Sequence, residues 1–322
     1  MKYLVKSLGI HGPTGSKKWI PGSAKAWLKL HKCDNAGDAV FHYKVYDEAH
    51  KWAHGKVPEV MPWQYDMLAE TKALGFKNIV SYIPFTNDNP QKELNNTERA
   101  SLSKAAKAFS DEFAVYTHIF TFGNYRPSNW LSSFNSFLSA EKIAVDVWHE
   151  SSKLTMPSSD CGPVFDASHA IEREIFRGGE ITHIGTHDYG DSGFSTRSLS
   201  LFNDAIHYQL KHPVTVIYLE AHKGFPGKDS TRGDRYDLFT AETGAYLLEL
   251  KTEADKLKVE MAWFTIDMFF DEDLNPNDAG LALSGRIDAN AWSPETDRKS
   301  LYRLLRLSGE SHFSAIFKSM IL

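Results

Sequence analysis

Short runs of apolar, aromatic or β-branched residues recur along the chain, and most are separated by a stretch with helical spacing. Eight can be counted: Lys2 to Ile10, Ala39 to Tyr46, Lys77 to Phe85, Phe113 to Phe122, Ile143 to Val147, Glu180 to Thr186, Val214 to Leu219 and Val259 to Phe264. Between them Ser23 to Lys32, Pro62 to Leu74, Glu98 to Phe109, Trp130 to Leu138, Asp166 to Arg177, Leu199 to Leu210 and Asp237 to Lys256 carry apolar residues at helical spacing. Thr97 is expected to cap the third of these helices. Strand–helix alternation at this pitch predicts a parallel sheet with helices on its faces. Eight units predict an α/β chain folded as a (β/α)8 TIM barrel, a single domain over residues 1–322 with extended loops. Residues 275–322 fit least well and are expected to close the barrel or cover its end, with GLALSGRIDANAW as a further strand and loop. An open doubly wound sheet would call for a phosphate-binding glycine loop, and no glycine cluster has that spacing.

The ends of these runs are where the chemistry gathers. A strand covered on both faces has room for a carboxylate only at its end. The stretch Glu141 to Ser152 (EKIAVDVWHESS) reads as such a strand, closing in Trp148, His149 and Glu150. Glu220 and His222 follow the run from Val214, and His183, His187 and Asp188 sit in or after the run from Glu180. Asp267 follows the last run, which contains Trp263, and Asn124 and Tyr125 follow the fourth. Barrel sites are built at the C-terminal ends of strands. The expected arrangement is therefore one rim carrying Glu150, His187, Asp188, Glu220 and Asp267.

Glu150 and Glu220 form the leading pair, since each follows an apolar run at the same phase. Cleavage of a glycosidic bond needs two carboxyl groups, one protonated and one ionised. Trp148 would hold Glu150 protonated by disfavouring its charge, whereas His222 and Lys223 would favour the anion of Glu220. This makes Glu150 the proton donor and Glu220 the nucleophile or base, with Asp188 a third acidic residue of the site. The alternative for either glutamate is a structural ion pair with a neighbouring loop.

The tripeptide Trp148-His149-Glu150 resembles the acid/base strand end of the large clan of (β/α)8 glycoside hydrolases, where the usual form is Trp-Asn-Glu. The resemblance implies that Glu150 is the acid/base and that Glu220, in IYLEAH, is the nucleophile on a later strand. His149 stands where the clan has an asparagine that binds the sugar 2-hydroxyl, and the count puts Glu150 on the fifth strand instead of the fourth. The substrate-binding set expected around the pair is Trp148, His149, His187, Asn124, Tyr125, His222, Trp263 and Asp267, with a carbohydrate as the ligand. The chain holds 8 Trp and 13 Tyr, several near loops, which suits the apolar faces of sugar rings. Such residues also serve as lids over a core.

Two other readings stay open. His11, His183, His187 and His222, with the acidic residues, supply the ligand types of a zinc or manganese hydrolase. The spacing His183-x-x-x-His187 lacks the glutamate of a helical metalloprotease motif. The same aromatic groove would also serve a barrel that binds glycans without cleaving them. On the leading reading no cofactor and no metal are needed.

Formal net charge is -5, from 36 Lys plus Arg against 41 Asp plus Glu, with no basic block to neutralise phosphates; no nucleic-acid partner is expected. Cys33 and Cys161 are too far apart for a CxxC motif and read as ordinary thiols. No apolar run approaches the roughly 18 residues of a membrane span. MKYLVKSLGIHG lacks a cleavage site and reads as a first strand, so the product is expected to be cytoplasmic as synthesised, with release by lysis or an exporter still open.

Overall fold

The computed structural model describes residues 9–13, 18–32, 36–44, 62–84, 92–123, 134–151, 154–159, 182–190, 214–223, 248, 251, 255, 260–263, 266 and 269–284. The N-terminal half alternates regularly: β1 (Gly9–His11), α1 (Ser23–His31), β2 (Asp38–Lys44), α2 (Pro62–Ala73), β3 (Lys77–Ile83), α3 (Asn96–Phe113), β4 (Ile119–Phe122) and α4 (Phe134–Glu150). Then come β5 (Leu154–Met156), β6 (Ser158–Ser159), β7 (His183–Gly190), β8 (Thr215–Lys223), β9 (Glu260–Trp263) and the short α5 (Asp278–Leu283). The expected helices at 166–177 and 199–210 lie outside the described residues, as do Cys33, Cys161 and residues 285–322.

All the described strands pair in parallel, in the order β5-β4-β3-β2-β1-β9-β8-β7-β6. The strands at the two ends of this order are consecutive in the chain, with only Pro157 between them. Proline has no N–H to give to a ladder. The chain therefore pairs with β4 before Pro157 and with β7 after it, and the Pro157 carbonyl itself accepts from the Gly185 N–H at 2.9 Å. The sheet curls back on itself into an α/β barrel-like fold.

Side chains alternate between two cores, as the period of a strand requires. Ile10, Ala39, Phe41, Val80, Tyr82, Phe120, Ile184, Met261 and Trp263 belong to the larger core with the buried stripes of α1 to α4. Val40, Ile79, Ile119, Met156, Ile217, Leu219 and Ala262, on the other face, form a second cluster. β1 and β9 approach so closely that a Cβ on Gly9 would lie 2.2 Å from the Met261 carbonyl oxygen. Only glycine fits there.

The stretch Glu141 to Ser152 is a correction. It is the second half of α4, not a strand. Buried Phe137, Ala140, Ala144, Val145 and Trp148 recur at the three-and-four spacing of one helix face, a phase that a local apolar run conceals. The strand at this place in the alternation is instead the polar LTMPSS, interrupted by Pro157. Three smaller expectations also change. Phe113 closes α3, packed against Phe109 one turn earlier with ring centroids 4.8 Å apart, and β4 begins only at Ile119. Asn95, not Thr97, caps α3 in a reciprocal capping box with Glu98: its side chain accepts the Glu98 N–H at 3.0 Å, and the Glu98 carboxylate accepts the Asn95 N–H at 2.8 Å. The start of GLALSGRIDANAW lies in α5, capped by Asn277.

Helix α1 has no side-chain cap of its own; Gly22 stands at its N-cap with φ 97°. The cap comes from α2. Glu70 accepts from the Gly22 N–H at 2.9 Å, the Ala24 N–H at 3.0 Å and the Trp19 indole at 2.9 Å. Anionic acceptors at a helix start satisfy orphan donors and complement the dipole. Glu70→Ala is expected to destabilise the fold by about 2 kcal/mol, and Glu70→Gln by less, measured by denaturant unfolding.

Candidate functional site

Strands β7 and β8 run furthest and carry ionisable residues in their C-terminal halves: His187 and Asp188 on β7, Glu220, His222 and Lys223 on β8. Their register pairs His187 with Glu220, Asp188 with Ala221 and Tyr189 with His222. Four of the expected site residues are thereby brought to one end of one strand pair.

The ladder slips at this point. Thr186 pairs with Tyr218, but the next residue, His187, pairs with Glu220, so β8 holds one extra residue. On the other side Tyr218 pairs with Met261 and Ala221 with Trp263, leaving Leu219 and Glu220 opposite Ala262 alone. The same two residues are thus a bulge relative to both neighbours. Ala262 and Leu219 belong to the inner cluster, whereas Met261 and Trp263 belong to the outer core. The register accordingly puts position 220 in phase with inner positions, where strict alternation from Leu219 would have put it outward. Gly185 makes room beneath: a Cβ there would meet Leu219 Cδ1 at 2.7 Å and the Met156 methyl at 3.1 Å.

Other strand ends contribute to the same side. β1 ends in buried His11, whose Nδ1 lies 2.7 Å from the Gly12 carbonyl oxygen. Below the ends of β3 and β4, buried Ser81 donates to the Gly123 carbonyl, and buried Thr121 is its register neighbour. This polar level was missed in the sequence. The signal was present as Ser81 and Thr121 at alternate positions inside otherwise apolar runs.

Several expected site residues are placed elsewhere. Glu150 closes α4 and precedes β5, so it lies at the end where strands begin, opposite the end that carries Glu220. The two cannot flank one bond. Trp148 is fully buried: its indole donates to the Ala106 carbonyl at 3.1 Å and stacks on Phe120 with centroids 5.2 Å apart. His149 sits at the helix end with Nε2 2.7 Å from Thr155 Oγ1. Trp263 is fully buried in the outer core and offers no surface to a ligand. Asn124, Tyr125 and Asp267 lie outside the described residues.

Of the four histidines of the metal reading, His183 separates from the others. His183 opens β7 and His187 is its fifth residue, so their backbones stand roughly 13 Å apart along the strand. His183 and His187 cannot share an ion. Among the described residues no group of three or more His, Cys, Asp or Glu is arranged to hold a metal ion. His183 belongs instead to the N-terminal side of the sheet, where burial lowers its pKa and Glu260 partly opposes the shift.

No family model matches the chain, and no curated protein matches it by sequence. Solved structures do resemble it in fold. A psychrophilic glycoside hydrolase family 10 endo-beta-1,4-xylanase aligns with TM-score 0.53 and 12% identity over 88% of this chain and 96% of its own. A GH10 xylanase from Bispora sp. MEY-1 aligns with TM-score 0.53 and 11% identity over 89% of this chain and 98% of its own. A trimodular GH5_4 subfamily endoglucanase aligns with TM-score 0.59 and 10% identity over 84% of this chain and 57% of its own.

Because Trp148 fills the space between α3, α4 and β4, Trp148→Ala is expected to cost about 3–5 kcal/mol in unfolding free energy. Trp148→Phe, which keeps a ring but loses the bond to Ala106, should cost less. A ligand-binding tryptophan would give the opposite result, unchanged stability with altered affinity. In its barrel-like architecture the chain is similar to glycoside hydrolases of families 10 and 5.

Proposed function

We propose that the chain is a glycan-acting hydrolase, built as a (β/α)8 barrel, with its reactive centre where β7 and β8 end. The observation that carries this reading is the bulge on β8, which puts Glu220 in phase with the inner face of the sheet and in register with His187. Bulges re-aim single side chains, and they concentrate beside active sites. The eight-strand count follows if β5 and β6 are taken as one strand interrupted by Pro157. The fold likeness to xylanases and an endoglucanase supports a polysaccharide as the substrate class.

In this reading Glu220 is one of two carboxyl groups acting on a glycosidic bond. Asp188, expected as a third acidic residue of the site, is in register with Ala221 and through it with Trp263 of the outer core, so its position follows the outward phase and the second carboxyl group is left to a residue of another strand end. One carboxyl group gives its proton to the leaving oxygen as the bond to the anomeric carbon breaks; the other, ionised, attacks that carbon or takes a proton from the attacking water. His187 and His222 are assigned to substrate hydroxyls. Glu150 and Trp148 have no part in the reaction.

The test is release of reducing ends from soluble xylans and β-glucans. Glu220→Gln is expected to lower the rate by roughly 10²–10⁴-fold. Glu150→Gln should keep the wild-type rate. A chelator should leave activity intact, since neither proton transfer nor carboxylate attack requires an ion. Full activity in Glu220→Gln would overturn the assignment, and activity lost to chelation and restored by metal would replace it with metal-assisted hydrolysis.

A further inference from the structure

Strand β4 sets its side chains alternately on the two faces of the sheet, and Ile119 belongs to the inner cluster. Thr121, two residues on, takes the same phase, and its register partner on β5, Met156, is an inner residue as well. Its partner on the other side is Ser81 of β3, in phase with inner Ile79. Two hydroxyls therefore stand side by side on the inner face, beyond Ile79 and Ile119 toward the ends of β3 and β4. Ser81 donates its proton to the Gly123 carbonyl. Thr121 is only 1% exposed, and its Oγ1 has no hydrogen-bond partner among the described residues. Trp263 Nε1 is likewise without one, but it lies in the outer core.

A buried hydroxyl nearly always has a partner, and one that has none inside the chain calls for one from outside it. The next residue of the same phase after Thr121 is Gly123, which has no side chain to place over the hydroxyl and leaves the strand in the left-handed conformation, with φ 77°. We propose that Thr121 is a binding residue, whose hydroxyl pairs with a hydroxyl of a neutral sugar ring seated against the wall formed by β3 and β4. The inference rests on the proposed function and deepens it, by naming the wall that holds the ring and the kind of ring it takes.

The chemistry of the wall decides the ligand. A threonine hydroxyl offers one donor and two acceptor lone pairs, while Ser81, its proton committed to Gly123, offers acceptors alone. Neither group is charged. A sugar hydroxyl, which both gives and accepts a hydrogen bond, complements such a pair. An ionised carboxylate or phosphate would meet mostly lone pairs, where it needs charged donors. The ring is accordingly a neutral sugar and not a uronate. In the strand order β3, β2, β1 and β9 separate β4 from β8, so Thr121 and position 220 stand on different walls of the curled sheet. A ring held at Thr121 is then presented to the strand that carries Glu220.

The experiment is titration calorimetry of the whole chain carrying Glu220→Gln, which holds a glycan without turning it over, with xylotriose, cellotriose and laminaritriose as probes. Into this parent are placed Thr121→Val, close in shape but without the hydroxyl, and Thr121→Ser, which keeps it. Thr121→Val is expected to weaken binding of the preferred trisaccharide about ten-fold, and Thr121→Ser to stay within about two-fold of the parent. The melting temperature of Thr121→Val without ligand should not fall, because the free chain gives that hydroxyl no partner to lose. A merely structural hydroxyl would give the reverse, a lower melting temperature with unchanged affinity. Thr121→Ala supplies the same affinity comparison if the valine does not fit. Unchanged affinity once the hydroxyl is removed overturns this inference and leaves the proposed function standing. A parent that binds none of the three trisaccharides overturns both.

Discussion

A parallel sheet leaves a row of unpaired backbone groups along each edge unless the edges are brought together. In this chain both edges belong to one stretch, Leu154 to Ser159, and everything else is arranged around that closure. The two short pairings, to β4 and to β7, are made by residues on either side of a proline that cannot donate to either ladder. Once the sheet curls, its inner face must be filled by small numbers of side chains from many strands, and its outer face must be covered by helices. The division, among the described residues, into an inner cluster of seven buried residues and a larger outer core follows from that geometry.

The alternation of strands and helices was legible because it rests on the period of apolar residues, which survives in the sequence. The starts of α1 at Ser23 and of α2 at Pro62 were legible in the same way, whereas the acceptor that Glu70 brings to α1 was not. Leu154 to Ser159 was not, since six residues with two serines, a threonine and a proline carry no apolar pattern. They become a strand because neighbours on both sides offer ladders to fill. The Glu141 to Ser152 stretch failed in the other direction. Four apolar residues within five positions, Ile143, Ala144, Val145 and Val147, satisfy a strand locally, and only the phase running back to Phe137 reveals the helix.

That misplacement governs what could be read of the site. A carboxylate at a helix end and a carboxylate at a strand end lie on opposite sides of a β/α unit, so the pairing of Glu150 with Glu220 dissolved once the helix was recognised. Glu220 itself was singled out by sequence as the residue that ends a run. The reason it matters in the structure is different: an extra residue in β8 shifts its phase. A bulge is a relation between three strands, and no single segment of sequence records it. The buried tryptophans make the same point, because Trp148 and Trp263 are placed by what packs on them and not by their chemical suitability for sugars.

Glu70 has a consequence beyond the hydrogen bonds it makes. Helix α1 borrows its N-terminal acceptor from α2, two elements later in the chain. Its first turn therefore has no independent stability: if α2 moves away, the backbone donors at Gly22 and Ala24 lose their acceptor together with the Trp19 indole. Opening of either helix exposes the other, so the first turn of α1 and the part of α2 around Glu70 open as one cooperative unit.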